Sequence, residues 1–257
     1  MKKSFCFTVD DNIRCLRELT AGSYRSIFEH PYLGMYFGLH EKYGLKVQLN
    51  LFYKTDDFDL SLMTDRYREE WQANSDWLKL SFHSEAETVK PYEHSGYDKV
   101  FDDCQSVHRE IVRFASPDTL GRTTTLHYCL ATREGLLALK DCGVEGLLGL
   151  YGNENKPRSS YQNTPEECAL IRRGETVRCD GIAYAGIDIV LNCFAKEEIL
   201  SILNGLADRA LVKIMIHEQY FYPDYPLYQN DFEEKICAAF EFLEKNGFQS
   251  IFFEESI

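Results

Sequence analysis

Short apolar segments alternate with longer amphipathic segments along the whole chain. Eight of the short segments are rich in β-branched and aromatic residues, and most are apolar almost continuously instead of at every second position. This pattern is typical of parallel strands that are covered on both faces. The predicted strands span residues 4–10, 46–53, 77–83, 123–129, 145–151, 188–194, 212–217 and 248–253.

The segments between these strands have the length and periodicity of helices. In residues 97–115, for example, apolar side chains recur every three or four positions and define one helix face. A glycine directly follows three of the segments and predicts a helix end at each. The predicted helices span residues 31–43, 97–115, 133–142, 195–206 and 230–246.

The alternation of strands and helices predicts an α/β fold in one domain over residues 1–257. We expect a single (β/α) barrel of seven or eight parallel strands, since such barrels often have about 200–250 residues. An open doubly wound sheet is the alternative, although its glycine-rich dinucleotide-binding turn is absent after the first strand. Residues 165–173 and a hairpin at 177–184, with Asp180-Gly181 at its turn, predict a small helix-hairpin insertion over one barrel face.

The charge and the cysteines narrow the range of partners and compartments. With 28 basic and 41 acidic residues, the net charge is −13. Such a surface repels phosphates and anionic lipids, so we expect no nucleic acid and no membrane as partner, while the oligomeric state stays open. No signal-peptide pattern and no membrane-length apolar run is present. Nine scattered cysteines without a CxxC pair suggest reduced thiols and a cytoplasmic protein.

Acidic and histidine side chains stand at the predicted ends of four strands. Asp10 and Asp11 end the first strand, His83 ends the third, His127 lies in the fourth and His217 ends the seventh. Catalytic groups of β/α barrels project from the carboxyl ends of the strands, so these side chains should share one rim. Each also has a structural alternative: the aspartates can cap a helix, and a lone histidine is often only hydrogen-bonded. Their joint placement favours a site that holds a divalent ion, with zinc as the expected metal.

Three motifs resemble those of the polysaccharide deacetylase (NodB-homology) superfamily. Residues 7–12 (FTVDDN) look like its T-F-D-D-G motif, residues 81–87 (SFHSEAE) resemble H-S-x-x-H, and residues 214–217 (IMIH) resemble L-x-H. That superfamily hydrolyses N- or O-acetyl groups of sugars, often with zinc. The resemblance therefore implies a metal-dependent hydrolase that acts on a small, carbohydrate-like acetylated substrate.

Transferred position by position, the resemblance implies Asp11 and His83 as metal ligands. It implies Asp10 as the base that draws a proton from metal-activated water, and His217 as the acid that protonates the leaving group. Glu87 stands where the superfamily has its second ligand histidine. We predict Glu87 as the third ligand, because a helical turn would place it on the same face as His83.

Further residues are candidates for the same site. His127 is the reserve metal ligand, because it lies on the neighbouring predicted strand. Glu218 and Tyr220 begin an aromatic loop, residues 218–228, that directly follows His217. This loop is either a wall on which a sugar ring stacks or a hydrophobic loop that packs on the barrel.

Two other functions fit the same pattern. The third superfamily motif, with its arginine and proline, has no clear match in the chain, which favours a catalytically inactive barrel that serves as a binding or regulatory module. A metal-dependent sugar isomerase or glycosidase is the other alternative, since one barrel fold supports many reactions.

Overall fold

The computed structural model describes residues 3–88, 92–153 and 155–257, and this part of the chain forms ten strands and eight α-helices. The strands are β1 Lys3–Asn12, β2 Val47–Phe52, β3 Leu78–Ser84, β4 Thr123–Thr124, β5 Gly146–Gly149, β6 Val177–Cys179, β7 Ile182–Gly186, β8 Ile189–Val190, β9 Leu211–His217 and β10 Phe248–Ser250. The helices are α1 Arg14–Ala21, α2 Pro31–Tyr43, α3 Arg68–Ala73, α4 Tyr97–Phe114, α5 Arg133–Asp141, α6 Pro165–Arg172, α7 Lys196–Gly205 and α8 Phe232–Lys245.

The strands form two sheets that are almost entirely parallel. The larger sheet has the order β3-β2-β1-β9-β8, and β10 also pairs with β1; the smaller has the order β4-β5-β7-β6. An isolated bridge between Leu80 and Leu120 connects the sheets beside β3 and β4. On the other side, two residues separate β7 from β8, so the chain passes directly from one sheet into the other. The predicted parallel α/β fold is confirmed, and the paired strands of the described residues define two sheets instead of one continuous ladder.

All five predicted helices are present, with ends within two residues of the predicted ones. Helix α2 begins with Pro31 in its first turn and is followed by Gly44 in the left-handed conformation, at φ 63°. A proline is tolerated at a helix start because its missing N–H needs no partner there, and glycine adopts positive φ without a steric cost. The short helix α1 was expected only as the helix that the Asp pair could cap, and no side chain at its start caps it, whereas the short helix α3 was not predicted.

The predicted insertion at residues 177–184 is in part a strand of the smaller sheet. The hairpin itself is confirmed: β6 and β7 are antiparallel, and Asp180 and Gly181 both have positive φ at its turn. However, β7 also pairs in parallel with β5 and is buried throughout, so it is not an insertion over one face. Three of its five residues are alanine or glycine, which have low strand propensity, so this segment carries a weaker strand pattern than the other strands.

Several predicted strands end earlier than expected, and β4 and β8 differ most from their predicted ends. Strand β4 ends at Thr124 and β8 ends at Val190, and a 3₁₀ turn follows each of them. Tyr128 and Cys129 have φ values of 63° and 56°, which no extended strand can accommodate. His127 therefore lies in a loop beyond the end of β4, and its placement inside an apolar strand was wrong.

The buried His108 of α4 should make stability depend on pH. Its Nε2 lies 3.6 Å from the Sγ of Cys104, and burial lowers its pKa to about 4. Because the unfolded chain binds the proton near pH 6.5, stability is complete above that pH and is lost as pH falls towards 4, by about 3 kcal/mol. His108→Leu should lose less stability between pH 7.5 and pH 4.5 than the wild type, as measured by urea unfolding. His94→Leu, which removes an exposed histidine, is the control. Equal losses in all three proteins would contradict the assignment.

Candidate metal centre and active site

A cavity of about 280 Å³ lies at the carboxyl ends of β1, β3 and β9. These ends are adjacent because the strands are parallel and belong to one sheet. The cavity collects side chains from residues that lie far apart in sequence. Its lining includes six of the side chains singled out in the sequence, Asp10, Asp11, His83, Glu87, His127 and His217.

Three of these side chains form a compact group that could hold a metal ion. The Nε2 atom of His83 lies 3.0 Å from Oδ1 of Asp11 and 3.2 Å from Nδ1 of His127. The same Nδ1 of His127 lies 3.3 Å from Oδ1 of Asp11. Tetrahedral zinc ligands at about 2.0–2.1 Å from the metal are about 3.3 Å apart, so the spacing suits such an ion.

The outer partners of the two histidines direct ring nitrogens towards this group. Nδ1 of His83 donates to the carbonyl oxygen of Thr125, and Nε2 of His127 donates to the carbonyl oxygen of Glu87 at 3.1 Å. With the protons assigned to those atoms, the nitrogens that face Asp11 carry lone pairs. Such an outer hydrogen bond is typical of metal-binding histidines, because it fixes the tautomer and the ring orientation.

Asp11 is positioned by its backbone and by Gln219. Its φ is 64°, a left-handed conformation that costs energy outside glycine and is concentrated at functional sites. Its Oδ2 accepts a hydrogen bond of 2.7 Å from Nε2 of Gln219, which leaves Oδ1 directed at the two histidines. Gln219 was not recognised in the sequence, because an amide after a strand carries no distinctive signal.

The charges in this group favour a bound cation. Burial opposes ionisation of Asp11, but the imidazoles of His127 and His83 hold its pKa well below the usual range. Burial lowers the pKa of His83, but the carboxylates of Asp10 and Asp11 outweigh it and raise the pKa. A divalent cation held between these atoms would balance the negative charge of the same carboxylates.

The Glu87 carboxylate lies outside this group. The segment after β3 turns without forming a helix, so Glu87 does not share a face with His83 as the spacing had suggested. Its side chain lies at the cavity edge, where partial desolvation of the carboxyl group and the Asp11 charge raise its pKa. Of the described residues, His127 is the third member of the group with Asp11 and His83, and the backbone carbonyl oxygen of Glu87 accepts a hydrogen bond from His127.

Asp10 is held by a hydrogen-bond chain that runs from β4 through β2 to β1. Thr123 Oγ1 donates to Gln48 Oε1 at 3.0 Å, Gln48 Nε2 donates to Asn50 Oδ1 at 2.8 Å, and Asn50 Nδ2 donates to Asp10 Oδ1 at 2.7 Å. Every amide in this chain is buried, so each orientation is fixed by the next. Burial raises the pKa of Asp10, a shift that His83 and His217 oppose.

His217 lies opposite Asp10 on the neighbouring strand. The two residues are register partners of β9 and β1, so their side chains point to the same side of the sheet. Asn192 orients the imidazole: its Oδ1 accepts hydrogen bonds from Nδ1 of His217 at 2.9 Å and from the His217 backbone N–H at 3.2 Å. Nε2 of His217 is therefore the nitrogen left for the cavity.

The aromatic loop after His217 is divided between the two predicted roles. Tyr220 lines the cavity. Phe221 and Tyr222 pack instead against Tyr32 of α2, with ring centroids 5.2 and 6.2 Å away. In this loop, Tyr220 therefore provides the ring on which a sugar could stack.

Glu218 has a structural environment and does not line the cavity. Its buried carboxylate accepts the backbone N–H groups of Ile13, Arg14 and Cys15 at 2.7, 2.9 and 2.8 Å, and the hydroxyl of Tyr222 at 3.1 Å. These N–H groups belong to the start of α1, which has no side-chain cap of its own. Glu218 therefore caps α1 from a residue that is about 200 positions away.

No protein-family model and no curated protein matches this sequence, whereas solved structures match its fold. A polysaccharide deacetylase from Bacillus cereus is 12% identical, with a TM-score of 0.53 over 99% of this chain and 94% of that chain. A family 4 acetyl xylan esterase from Clostridium thermocellum, in complex with a cobalt ion, is 12% identical, with a TM-score of 0.52 over 98% and 89%.

A CE4 family pseudoenzyme from Bacillus anthracis has the same fold. It is 10% identical, with a TM-score of 0.52 over 99% of this chain and 65% of that chain, so our chain spans about two thirds of its length. At these identities the likeness concerns the fold, and it confirms the resemblance to polysaccharide deacetylases at that level. None of the helices in the described residues is long and apolar enough to cross a membrane.

Proposed function

We propose that this protein is a metal-dependent hydrolase that removes an acetyl group, held as an amide or ester, from a sugar-like substrate. The observation that carries the proposal is the group of Asp11, His83 and His127, whose ligand atoms lie 3.0–3.3 Å apart. The fold is shared with a polysaccharide deacetylase and with an acetyl xylan esterase that holds cobalt. Both observations favour a divalent ion such as zinc at this group.

Asp11, His83 and His127 would hold the ion, and Gln219 and Thr125 would orient two of these ligands. When bound, such an ion supplies a water molecule with a pKa near 7 and polarises the scissile carbonyl. Asp10 takes up a proton at its Oδ2, since Asn50 occupies Oδ1. The anchored amide of Asn50 fixes the carboxylate plane, so that no reorientation is needed during the reaction.

His217 donates a proton from Nε2 to the departing amine or alkoxide. Asn192 accepts from Nδ1 and keeps Nε2 directed at the cavity. Asp10 and His217 approach the substrate from neighbouring strands, which places base and acid beside each other at one rim. Tyr220 offers a ring for the apolar face of a sugar.

We also propose that the strands form one closed barrel and that the protein acts in a reducing compartment. The bridge from Leu80 to Leu120 and the direct passage from β7 to β8 support one barrel of seven or eight strands around the site. All nine cysteines are free, which suits the cytoplasm and a small intracellular substrate.

The metal content of ligand variants tests the proposal. We expect wild type to bind one divalent ion per chain after dialysis against zinc or cobalt, and His83→Ala and His127→Ala to lose stoichiometric binding. Glu87→Gln should keep it, because its carboxylate is outside the three-ligand group. Elemental analysis by mass spectrometry measures the ion, and acetate release from acetylated chito- and xylo-oligosaccharides measures hydrolysis.

His94→Ala, which removes an exposed histidine, is the matched control and should bind the ion normally. If Glu87→Gln lost the ion and His127→Ala kept it, the third ligand would be Glu87, as the sequence spacing predicts. Absence of an ion from wild type would overturn the proposal. An ion with no acetate release from any acetylated probe would favour the inactive binding module, for which the pseudoenzyme of the same fold is a precedent.

A further inference from the structure

A second cavity, of about 350 Å³, lies on the side of the domain and shares no lining residue with the active-site cavity. It is enclosed by the end of α6, the junction of β7 and β8, and the turn that precedes β9. Its charged lining consists of three arginines, Arg172, Arg173 and Arg209, and one acid, Asp188. We call it the arginine cavity. Such a concentration of positive charge contrasts with the net charge of −13 for the whole chain.

Arg209 is fixed in place at this cavity. Its Nη1 donates to Oδ1 of Asp188 at 3.1 Å, and its Nη2 donates to the carbonyl oxygen of Arg172 at 3.3 Å. The guanidinium packs directly on Gly174, where φ is +94° and a Cβ atom would lie 2.0 Å from Nη1. A glycine at position 174 permits both the positive φ and this close approach, and the two hydrogen bonds hold the guanidinium in this position.

The one acid in the cavity is already neutralised. Asp188 Oδ2 lies 3.0 Å from Nζ of Lys213, a side chain that is 1% exposed, and also accepts the backbone N–H of Lys213 at 2.8 Å. The negative charge of Asp188 therefore balances the positive charge of Lys213. Asp188 also pairs with Arg209, but one carboxylate cannot neutralise both cations. Arg172 has no side-chain partner among the described residues. Arg173 lies 3.4 Å from a carboxylate oxygen of Glu175, so the unmatched positive charge of the cavity comes from Arg172.

Helix α6 accounts for part of this arrangement. Arg172 and Arg173 end the helix, where positive charge is favourable because the carbonyl groups carry partial negative charge. The helix end does not explain the position of Arg209, because this residue belongs to a different segment and lines the same cavity. Arginines from two segments that converge on one cavity are typical of oxyanion binding, since the planar guanidinium donates two parallel hydrogen bonds.

We propose that the arginine cavity binds the phosphate group of a small phosphorylated compound. Its volume lies near the lower end of the range for small-molecule sites. Arg209 is the pre-positioned anchor, and Arg172 supplies the unpaired charge. The site is independent of the metal centre and of the hydrolysis proposed for it.

Isothermal titration with inorganic phosphate, and in parallel with glucose 6-phosphate, tests this site. Both titrations use the full chain at constant ionic strength set with sodium chloride. We expect saturable binding by wild type and at least tenfold weaker binding by Arg172→Ala, since a hydrogen bond to a charged group typically contributes that much. Arg172→Ala should fold normally, because the side chain it removes has no partner among the described residues. Tighter binding of glucose 6-phosphate than of free phosphate identifies a phosphate ester as the ligand, and equal binding identifies free phosphate.

Two control variants show whether phosphate binds at the arginine cavity or elsewhere on the protein. Arg178→Ala removes an exposed arginine of β6 and the same charge, and it should bind phosphate as wild type does. His83→Ala should also bind phosphate as wild type does. If phosphate were held at the metal centre instead of the arginine cavity, this variant would lose the binding. Absence of binding by wild type, or equal binding by wild type and Arg172→Ala, overturns the proposal. Loss of binding in His83→Ala overturns it as well.

Discussion

Asp10→Asn is expected to lower kcat by about 10²–10⁴-fold, the usual contribution of a general base, while the ion stays bound. Asparagine keeps the shape of the side chain but removes the charge that accepts the proton. The Asn50 amide that anchors Oδ1 can still donate to the new side-chain oxygen, so the local structure should persist. The measurement is acetate release at saturating substrate, together with metal content.

The pH profile gives this prediction a second readout. Asp10 must be ionised to act, so activity should fall as pH drops through its pKa, which burial raises above the ordinary carboxyl value of 3.8. His217→Ala should lower kcat by a similar factor, because it removes the group that protonates the departing amine or alkoxide. Asp56→Asn, the same change at an exposed residue, should stay within about twofold of wild type. Full activity of Asp10→Asn would exclude it as the base.

Glu218→Ala is expected to reduce the free energy of unfolding by about 3–5 kcal/mol. The substitution leaves three backbone N–H groups of α1 and the hydroxyl of Tyr222 without their acceptor, and each unpaired buried donor costs about 1–3 kcal/mol. Partial entry of water limits the sum. Urea unfolding of the protein, monitored by far-UV circular dichroism, measures the change.

Two variants sharpen this test. Glu218→Gln retains one acceptor oxygen and should be destabilised less than Glu218→Ala. Glu244→Ala removes an exposed glutamate of α8 and should change stability by no more than about 0.5 kcal/mol. A loss below about 1 kcal/mol for Glu218→Ala would mean that water replaces the carboxylate as the cap of α1.

The parts of the site that follow from strand periodicity could be predicted. A buried strand has a recognisable end, and parallel strands bring their carboxyl ends to one edge, so Asp10, Asp11, His83 and His217 were expected to meet. The structure places all four at one cavity. Their chemical roles stay predictions, because roles depend on contacts that no strand pattern encodes.

The third member of the Asp11 and His83 group could not be predicted, because it depends on loop conformation. The choice of Glu87 assumed a helical turn after β3, but the chain turns there without a helix. His127 lies in this group from a 3₁₀ turn in which Tyr128 and Cys129 adopt left-handed conformations, which neither residue type signals. The supporting amides of Asn50, Asn192 and Gln219 act over 25 to 208 positions in sequence and were missed for the same reason.

The placement of β1 also governs when the site can form during synthesis. This strand pairs with β2, which follows it closely, and with β9 and β10, which are among the last strands to emerge. Ribosomes add about 5–20 residues per second, so roughly 10–40 s separate the synthesis of Asp10 from that of His217. During that interval one edge of β1 is open to wrong pairing. We therefore expect nascent chains to depend on chaperones until β9 leaves the ribosome.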